Sequence, residues 1–331
     1  KLKNNNIKSA MLDSELLMAN VINKSREFII LNLDKNIDKK DFDNFQNMVS
    51  KRHQGQPVAY LTNKKFFWKY EFFINKHVLI PRPDTEIIIE QVLRIYKNKK
   101  NINFLDIGFG SGCILLSILK ERKNFRATGV DICNHALKVC KINAYKLGLE
   151  TRVKLFNSDI DKFTLGKYDL IISNPPYIKN SDLRYLEKDV KEFEPKLALD
   201  GGLDGTSEIR KVIKKSSELI KYGGKLILEI AYNQKQEVKR LLKVNGRYSF
   251  VIPTEGGFSF WLGRQLISGP NLMRKYGLDA NYVMAREHIN DAKRVLKFLG
   301  LYFGNFSKAY WPINVMNLSI NAMIYGHCTK R

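Results

Sequence analysis

The chain has 331 residues, 44% of them hydrophobic, so it is long enough to bury one sizeable core and an additional small domain. Its formal net charge of +23 favours a polyanionic partner such as RNA or the ribosome surface, although lysines spread over the solvated faces of an ordinary enzyme would give the same charge. No apolar run is long enough to span a membrane, no secretory signal opens the chain, and the cysteines lack metal-site spacing, so we expect a soluble, cytoplasmic protein that binds neither membrane nor metal.

The N-terminal part of the chain is predicted to contain a helical domain followed by a hairpin. Apolar residues recur at helical spacing over residues 9–52, which predicts a small helical domain in residues 1–60. Two segments rich in β-formers, around Phe66–Trp68 and Phe72–Ile74, flank a short polar break. This pattern predicts a β-hairpin, which we place in a linker of residues 61–84.

Prolines and capping residues mark the entry to the next part. Pro81 and Pro83 stiffen the end of the linker. Asp84 or Thr85 is expected to cap a helix that runs to Tyr96.

From Asn103 onward the sequence alternates between strand and helix patterns. In chain order the predicted elements are Phe104–Ile107, about Gly112–Arg122, Ala127–Val130, Asn134–Leu147, Val153–Phe156, Tyr168–Ser173, about Ser207–Leu219, Lys225–Ile230 and Asn233–Lys243. Repeated strand–helix units predict an α/β fold, with a parallel, doubly wound sheet covered by helices on both faces, in residues 85–253. Ligands of such sheets bind outside the carboxyl ends of the strands, so the residues after each strand are candidate site residues.

The first three strands end in residues suited to an adenosine-containing cofactor. After the first strand comes a GxGxG turn, which lets the backbone approach a ligand and differs from the GxGxxG of dinucleotide folds; it consists of Gly108, Phe109, Gly110, Ser111 and Gly112. Asp131 can accept hydrogen bonds from both ribose hydroxyls, and Asp159 with Ile160 can bind and cover an adenine. Each feature alone has a plainer explanation. The glycines could form a tight turn that binds no ligand, and Asp131 could cap a helix, although Asn134 is better placed for that role. Together, their order predicts S-adenosylmethionine.

The fourth strand ends in Asn174-Pro175-Pro176-Tyr177. The side-chain oxygen of Asn174 and the carbonyl of Pro175 can each accept one N–H of a planar –NH2 group, while the prolines fix that carbonyl and Tyr177 offers a flat wall. Two acceptors would align the nitrogen with a methyl sulfonium and stabilise the positive charge that grows on it, so no strong base is needed. The plainer explanation is a Pro-Pro turn in which Asn174 is a local cap. The candidate cofactor residues at the ends of the three neighbouring strands disfavour it. We predict that Asn174, Pro175 and Tyr177 are catalytic and that all four residues contact the substrate.

Several motifs resemble the HemK/PrmC family of protein-(glutamine-N5) methyltransferases, which modify peptide chain release factors. The resemblance covers residues from about 9 to 248 and rests on GQPVAYL, VLIPRPDTE, FLDIGFGSGCI, VDI, SNPPYI and EFEPKLALDGGLDG. It implies a class I, Rossmann-like methyltransferase with S-adenosylmethionine held at Gly108–Gly112, Asp131 and Asn174. The acceptor would be the glutamine of the release-factor GGQ motif, gripped by Asn174 through Tyr177, and the helical domain and hairpin would help to dock the factor.

Two features depart from the family pattern. Phe109 stands where the glycine loop usually has a small residue, and it is expected to narrow the methionine pocket. Residues 254–331 form a basic extension that resembles nothing we know and stays unassigned. Within it, residues 282–298 have helical spacing, which fits either a basic helix near RNA or an appendage without a catalytic role.

Two other functions remain open at this stage. The NPPY tetrad is shared with adenine-N6 methyltransferases of DNA and RNA, and the net charge suits a nucleic acid, but the predicted organisation includes no target-recognition domain. A non-catalytic RNA-binding or ribosome-associated protein could also retain the fold. The intact residues Gly110, Asp131, Asn174 and Tyr177 argue against that second alternative.

Overall fold

The structure is a computed structural model that describes residues 2, 7, 9–231, 234–241, 247–253, 307–311 and 323–329. The chain forms two compact units, residues 1–235 and 236–331. Within the described ranges the α-helices are α1 (Ala10–Val21), α2 (Arg26–Leu31), α3 (Lys39–His53), α4 (Val58–Thr62), α5 (Glu86–Ile95), α6 (Cys113–Glu121), α7 (Asn134–Lys146), α8 (Lys188–Phe193), α9 (Ser207–Leu219) and α10 (Lys235–Leu241). The strands are β1 (Lys64–Phe67), β2 (Tyr70–Phe73), β3 (Asn103–Ile107), β4 (Arg126–Asp131), β5 (Val153–Asn157), β6 (Tyr168–Ser173), β7 (Ile220–Leu228), β8 (Arg247–Pro253), β9 (Ser307–Trp311) and β10 (Met323–Thr329).

Helices α1 to α4 form the helical region that the apolar spacing predicts. A small core around Leu17 and Val49 joins α1, α3 and α4. The buried carboxylate of Asp13 on α1 accepts from Arg52 on α3 at 2.7 Å, which ties the two helices by a charge-assisted bond. Asp38 caps α3 by accepting from the backbone N–H of Asp41, and this satisfies one of the free donors at the helix start.

The predicted hairpin is present, but its strands begin and end earlier in the sequence than predicted. Strands β1 and β2 pair antiparallel, with Phe67 opposite Tyr70, so Trp68 and Lys69 form a two-residue turn. Trp68 has φ +58°, a value that such a tight turn requires, and it therefore cannot continue the strand. The side chains of Phe67 and Phe72 are fully buried and anchor the hairpin in the main core.

The predicted parallel sheet is confirmed, with strand order β5-β4-β3-β6-β7. Alternate residues of the central strands enter two different apolar clusters, as the two-residue period of a strand requires. Phe104 and Leu170 belong to a cluster shared with α5, α6 and α7, whereas Leu105 and Ile171 belong to one shared with α9. Both faces of the sheet are therefore covered by helices, as the repeated strand–helix pattern predicts.

Strand β7 begins at Ile220, five residues before the predicted start at Lys225. Its pairing with β6 shifts register between Tyr168 and Leu170, so the extra residues pass through an irregularity. Gly223, with φ +74°, lies in this stretch and has a backbone conformation that disrupts an apolar strand pattern. The strand ends at Leu228, which places Glu229 directly at its carboxyl end.

The unit of residues 236–331 contains a separate antiparallel sheet, with strand order β8-β10-β9. Residues Phe250–Ile252, which the sequence analysis includes in the domain of residues 85–253, lie within β8 of this antiparallel sheet. The predicted helix at residues 282–298 lies outside the described residues. Every helix in the described ranges is too short or too polar to cross a lipid bilayer.

Candidate active site

Because β3 to β7 are parallel, their carboxyl ends meet at one edge of the sheet, and the order of the strands fixes the order of the predicted site residues along it. The glycine turn follows β3 at the centre, Asp131 ends β4, and Asp159 comes two residues after β5. On the other side of β3, the tetrad that starts at Asn174 follows β6. Successive strands are therefore added on one side of β3 up to β5 and on the other side from β6 onward, and the candidate cofactor and substrate residues follow strands on the two sides of this switch point.

The glycine turn leaves an open cradle above its backbone. Gly108 and Gly110 have φ values of +76° and +54°, and a Cβ atom added at either would meet nothing within 4 Å. Gly112 has a different role, since its Cβ would lie 2.5 Å from the Cys140 sulfur, which shows that α7 packs directly against this turn. Two of the three glycines therefore create space for a ligand, while the third permits close packing.

The ring of Phe109 packs against β4, and its predicted effect on the methionine pocket stays a prediction. The side chain is buried and belongs to the main apolar core. A Cβ on Gly129 in β4 would lie 2.7 Å from the Phe109 ring, so the ring fills the space that this glycine leaves empty.

Asn143 on α7 joins the hairpin to the glycine turn. This buried amide donates to the backbone carbonyls of Phe73 and Ser111 at 2.9 and 2.8 Å and accepts from the Phe73 N–H at 2.7 Å. Both ends of its side chain are therefore bonded to backbone groups of two separate elements. Sequence reasoning missed Asn143, because its partners lie 70 and 32 residues away.

Asp131 is held by the turn that it faces. One carboxylate oxygen accepts from the Gly110 N–H at 2.9 Å and the other from the Cys133 N–H at 2.8 Å. Burial raises the pKa of Asp131, and these two hydrogen bonds oppose that rise. Each oxygen retains a further lone pair, so the carboxylate can still accept from ribose hydroxyls. Asn134 is not the helix cap that the sequence suggested, since Cys133 occupies the cap position and no side chain there accepts a capping bond.

Asp106, which sequence reasoning did not single out, is a second acid beside the turn. It is fully buried in β3, and neither of its carboxylate oxygens has a hydrogen-bond partner among the described residues. Burial, and then the charge of Asp131, raise the pKa of Asp106 to about 8. A buried acid without partners is costly, and a cationic ligand in the adjacent cradle would offset that cost.

The residues after β5 have local structural roles. Asp159 accepts from the backbone N–H of Asp161 at 3.0 Å and so caps a short 3₁₀ turn, Ile160–Lys162. Ile160 is buried in the apolar cluster on the α9 side of the sheet, beside Phe163. The predicted contacts of these residues with an adenine remain predictions.

The tetrad after β6 is fixed by two side-chain contacts. The amide nitrogen of Asn174 donates to the Thr85 hydroxyl at 3.2 Å, so the amide oxygen lies on the opposite branch of the group. Pro175 is buried, and the Tyr177 hydroxyl donates to Glu229 at 3.3 Å. Burial, followed by the nearby Glu229 charge, raises the pKa of Tyr177 to about 12, so the phenol stays neutral at physiological pH. Thr85, which was predicted as a possible helix cap, makes no capping bond with its side chain.

The DGGLDG motif packs directly against the backbone of the tetrad. A Cβ at Gly201 would lie 2.9 Å from the Pro176 carbonyl oxygen, and one at Gly205 would lie 2.6 Å from the Tyr177 carbonyl oxygen. Buried Gln234 joins the two segments by donating to the carbonyls of Tyr177 and Gly205 at 2.9 and 2.6 Å. The rigidity of the tetrad therefore depends on residues outside it, and Gln234 was missed by sequence reasoning.

An ion pair joins the segments VLIPRPDTE and EFEPKLALDGGLDG. Arg82 of the linker contacts Glu194 at 2.5 Å, and the Ile80 N–H donates to the other carboxylate oxygen at 3.2 Å. The Glu194 side chain is only 1% exposed, so this pairing lies in the interior. Tyr60, from the GQPVAYL motif, donates to the Val78 carbonyl at 2.6 Å and ties α4 to the same linker.

Comparison with known proteins identifies two regions of the chain. The family profile described as "PrmC N-terminal domain" matches residues 1–62, and the profile described as "Methyltransferase small domain" matches residues 85–260. The release factor glutamine methyltransferase of Clostridium acetobutylicum is 37% identical, with 74% of this chain and 87% of the relative aligned. The protein of the same name from Caulobacter vibrioides is 34% identical over 74% of this chain and 86% of the relative.

A third relative aligns over nearly the whole chain. The bifunctional methyltransferase of Rickettsia conorii is 31% identical, and the alignment covers 98% of this chain and 69% of that relative. This alignment therefore includes most of the extension at residues 254–331, which the motifs alone left unassigned.

Proposed function

Since the chain belongs to the release factor glutamine methyltransferase family, we propose that it transfers a methyl group from S-adenosylmethionine to the side-chain amide nitrogen of the glutamine in the release-factor GGQ motif. The enzyme is an S-adenosylmethionine-dependent methyltransferase, as the GxGxG turn and NPPY tetrad predicted. The observation that carries the proposed chemistry is the contact of Asn174 with Thr85, which engages the amide nitrogen and leaves the oxygen for the substrate.

The described residues fit the cofactor. The open cradle at Gly108 and Gly110 accepts the methionine part, and Asp131 retains lone pairs for the ribose hydroxyls. The unpaired carboxyl of Asp106 adds an acidic environment that suits a cationic ligand. When bound, S-adenosylmethionine supplies an electrophilic methyl group on a sulfonium. We assign adenine contacts to Asp159 and Ile160, and a contact near the methyl group to Asn174.

Asn174 and Pro175 position the acceptor nitrogen. The Asn174 side-chain oxygen and the Pro175 carbonyl each accept one N–H of the glutamine –NH2 group, which directs the nitrogen lone pair out of the plane of these bonds. Both acceptors stabilise the positive charge that develops on nitrogen, in the manner of preorganised dipoles. Tyr177 forms a neutral wall beside the amide, and Pro176 holds the turn. Positioning supplies most of the rate enhancement, and the proton leaves the nitrogen after the methyl group has arrived.

We assign residues 1–60 to docking of the release factor, with residues 61–84 as a linker and residues 85–253 as the catalytic domain. The helical region carries large apolar side chains that are well exposed, including Met11, Leu31 and Leu33. Contiguous exposed apolar surface is typical of protein-binding sites, and we assign these side chains to such a surface. The net charge of +23 fits a cytoplasmic enzyme that meets its substrate close to ribosomal RNA.

A methyl-transfer assay with matched substrates tests the function. The enzyme is incubated with methyl-labelled S-adenosylmethionine and, separately, with a purified release factor, the same factor with Gln→Ala in its GGQ motif, DNA and ribosomal RNA. We expect label on the unchanged factor alone, in the peptide that contains the motif. Label on a nucleic acid would instead identify an adenine-N6 or other amino-methyltransferase, and absence of label in every arm would contradict an enzymatic function.

Asn174→Ala tests the assigned role of the tetrad. By analogy with loss of one preorganised transition-state hydrogen bond, kcat is expected to fall by about 10²–10³-fold. The dissociation constant for S-adenosylmethionine, measured by calorimetry, should change much less. Equal losses in turnover and cofactor affinity would show that Asn174 serves the cofactor and not the acceptor nitrogen.

A further inference from the structure

We propose that Glu229, at the carboxyl end of β7, is a positioning residue that works through Thr85 to fix which end of the Asn174 amide faces the substrate. This inference rests on the proposed function, because it concerns the orientation of the group that receives the glutamine amide. We assign Glu229 no direct contact with substrate or cofactor. Its role is to set the direction of a chain of hydrogen bonds.

The end of β7 lies beside the end of β6. The backbone N–H of Glu229 donates to the Ser173 carbonyl at 3.0 Å, so the parallel ladder continues up to the residue before the tetrad. The side chain of Glu229 is within hydrogen-bond distance of the Tyr177 hydroxyl, at 3.3 Å. The pairing of β7 with β6 therefore holds a carboxyl group next to the tetrad.

One carboxylate oxygen of Glu229 lacks a hydrogen-bond partner. Its Oε2 atom is buried and unpaired within the described part of the chain. Burial raises the pKa of Glu229, and hydrogen bonding by Thr85, Tyr177 and Asn174 opposes that rise. Thr85 and Asn174 are therefore the candidate donors to the unpaired Oε2 atom.

Thr85 links Glu229 to Asn174. Its side chain is almost completely buried, and its hydroxyl oxygen accepts from the Asn174 amide nitrogen at 3.2 Å. A hydroxyl that accepts this bond still has one hydrogen to donate. An ionised carboxylate can only accept hydrogen bonds, and the Oε2 atom of Glu229 is buried without a partner among the described residues, so we assign the Thr85 hydrogen to it.

The direction of these bonds determines the orientation of the amide. With Glu229 accepting from Thr85, the Thr85 oxygen can only accept from Asn174, so the amide nitrogen must face Thr85 and the oxygen must face the substrate. An Asn amide has nearly the same shape in both orientations, so packing alone distinguishes them poorly. If the amide flipped, its N–H groups would face the N–H groups of the glutamine, and the acceptor would be lost.

Glu229→Gln is the sharpest test, because the new side chain has the same shape but can also donate. Its amide can donate to Thr85, which then donates to the Asn174 oxygen and holds the flipped orientation. Thr85→Val removes the link between the two residues, while Thr85→Ser retains a hydroxyl. Glu218→Gln, a change on the exposed side of α9 far along the chain from the tetrad, is the matched control for loss of one carboxylate.

The measurements are kcat at saturating release factor, the dissociation constant for S-adenosylmethionine and the unfolding temperature of each variant. We expect kcat to fall at least about fivefold in Glu229→Gln and Thr85→Val, as for loss of one hydrogen bond near a developing charge. Cofactor affinity should remain within about twofold, and Thr85→Ser and Glu218→Gln should behave like the wild type.

A smaller loss in Glu229→Gln overturns the inference, as does a Thr85→Ser variant that is as impaired as Thr85→Val, which would indicate packing alone. Parallel losses of kcat, cofactor affinity and unfolding temperature would likewise contradict a positioning role. The wild-type reaction separates this inference from the proposed function. If the wild type does not label the release factor, the proposed function fails, whereas an active wild type with an equally active Glu229→Gln variant refutes the role of Glu229 only.

Discussion

Replacement of Gly205 by alanine should impair catalysis through the backbone of the tetrad. Gly205 has φ +76°, and an added Cβ would lie 2.6 Å from the Tyr177 carbonyl oxygen and 2.9 Å from the Gln234 amide nitrogen. Both contacts are far shorter than van der Waals distance, and one of them involves backbone. The Cβ can therefore be accommodated only if the tetrad and the DGGLDG segment separate, which breaks the hydrogen bonds of Gln234 to both.

The loss of folding stability in Gly205→Ala has two contributions, which a control variant separates. The left-handed backbone costs an alanine roughly 1–2 kcal/mol, and forcing an extra methyl group into a packed site costs about 1–3 kcal/mol more. Gly148, at the end of α7, has φ +66° but no atom within 4 Å of an added Cβ. Gly148→Ala should therefore be destabilised only by the left-handed backbone, whereas Gly205→Ala should be destabilised by both the backbone and the extra methyl group.

The two variants should also differ in activity. A displacement of about 1 Å at a catalytic group can lower turnover about 10²-fold, so kcat of Gly205→Ala should fall by roughly that factor while Gly148→Ala keeps wild-type kcat. Urea unfolding gives the stability difference, and the release-factor methylation assay gives kcat. Equal stability and equal kcat in the two variants would refute the close contact between Gly205 and Tyr177.

Three further predictions follow from the buried polar groups. The pKa of Asp106 rises from 3.8 to about 8 on folding, so the folded state binds more protons than the unfolded state, and the stability of the cofactor-free enzyme should fall as pH increases from about 4 to 8. Asp106→Asn should flatten this pH dependence in thermal unfolding scans, and an unchanged slope would contradict the raised pKa of Asp106. Arg82→Ala leaves the interior carboxylate of Glu194 without its cation. Because solvent screens the partly exposed Arg82, the free energy of unfolding measured in urea should fall by only roughly 1–3 kcal/mol, and a change near zero would mean that the pair does not contribute to stability. Asn143→Ala frees the Ser111 carbonyl, so calorimetry should show weaker binding of S-adenosylmethionine, whereas unchanged affinity would show that the glycine turn does not depend on α7.

The arrangement of the sheet and the main site motifs could be predicted because they depend on local patterns. The apolar runs of β3 to β6 are short and are bounded by turn residues, so each strand end could be located within a residue or two. Parallel strands then bring Gly110, Asp131 and Asn174 to one edge, whatever the details of packing. The start of strand β7 was harder to predict from the sequence, because its first half contains Gly223 and an irregular pairing with β6.

The side chains that support the site could not be predicted, because their partners are distant in the sequence. Gln234 bonds to a carbonyl 57 residues earlier, and Arg82 pairs with an acid 112 residues later. The ring of Phe109 packs into the core because Gly129, on the neighbouring strand, has no side chain. Such contacts form only because helices and strands that are distant in the sequence pack side by side. A single sequence shows that these residues are present but not which residues they contact.

The most direct test of the central claim is a crystal structure of the enzyme with S-adenosylhomocysteine and a release factor. The account predicts that the Asn174 side-chain oxygen and the Pro175 carbonyl oxygen each lie about 2.7–3.2 Å from the amide nitrogen of the motif glutamine. It also predicts that the Asn174 nitrogen retains its contact with Thr85. A glutamine nitrogen that is bound by other groups, or an Asn174 side chain turned away from it, would contradict the account.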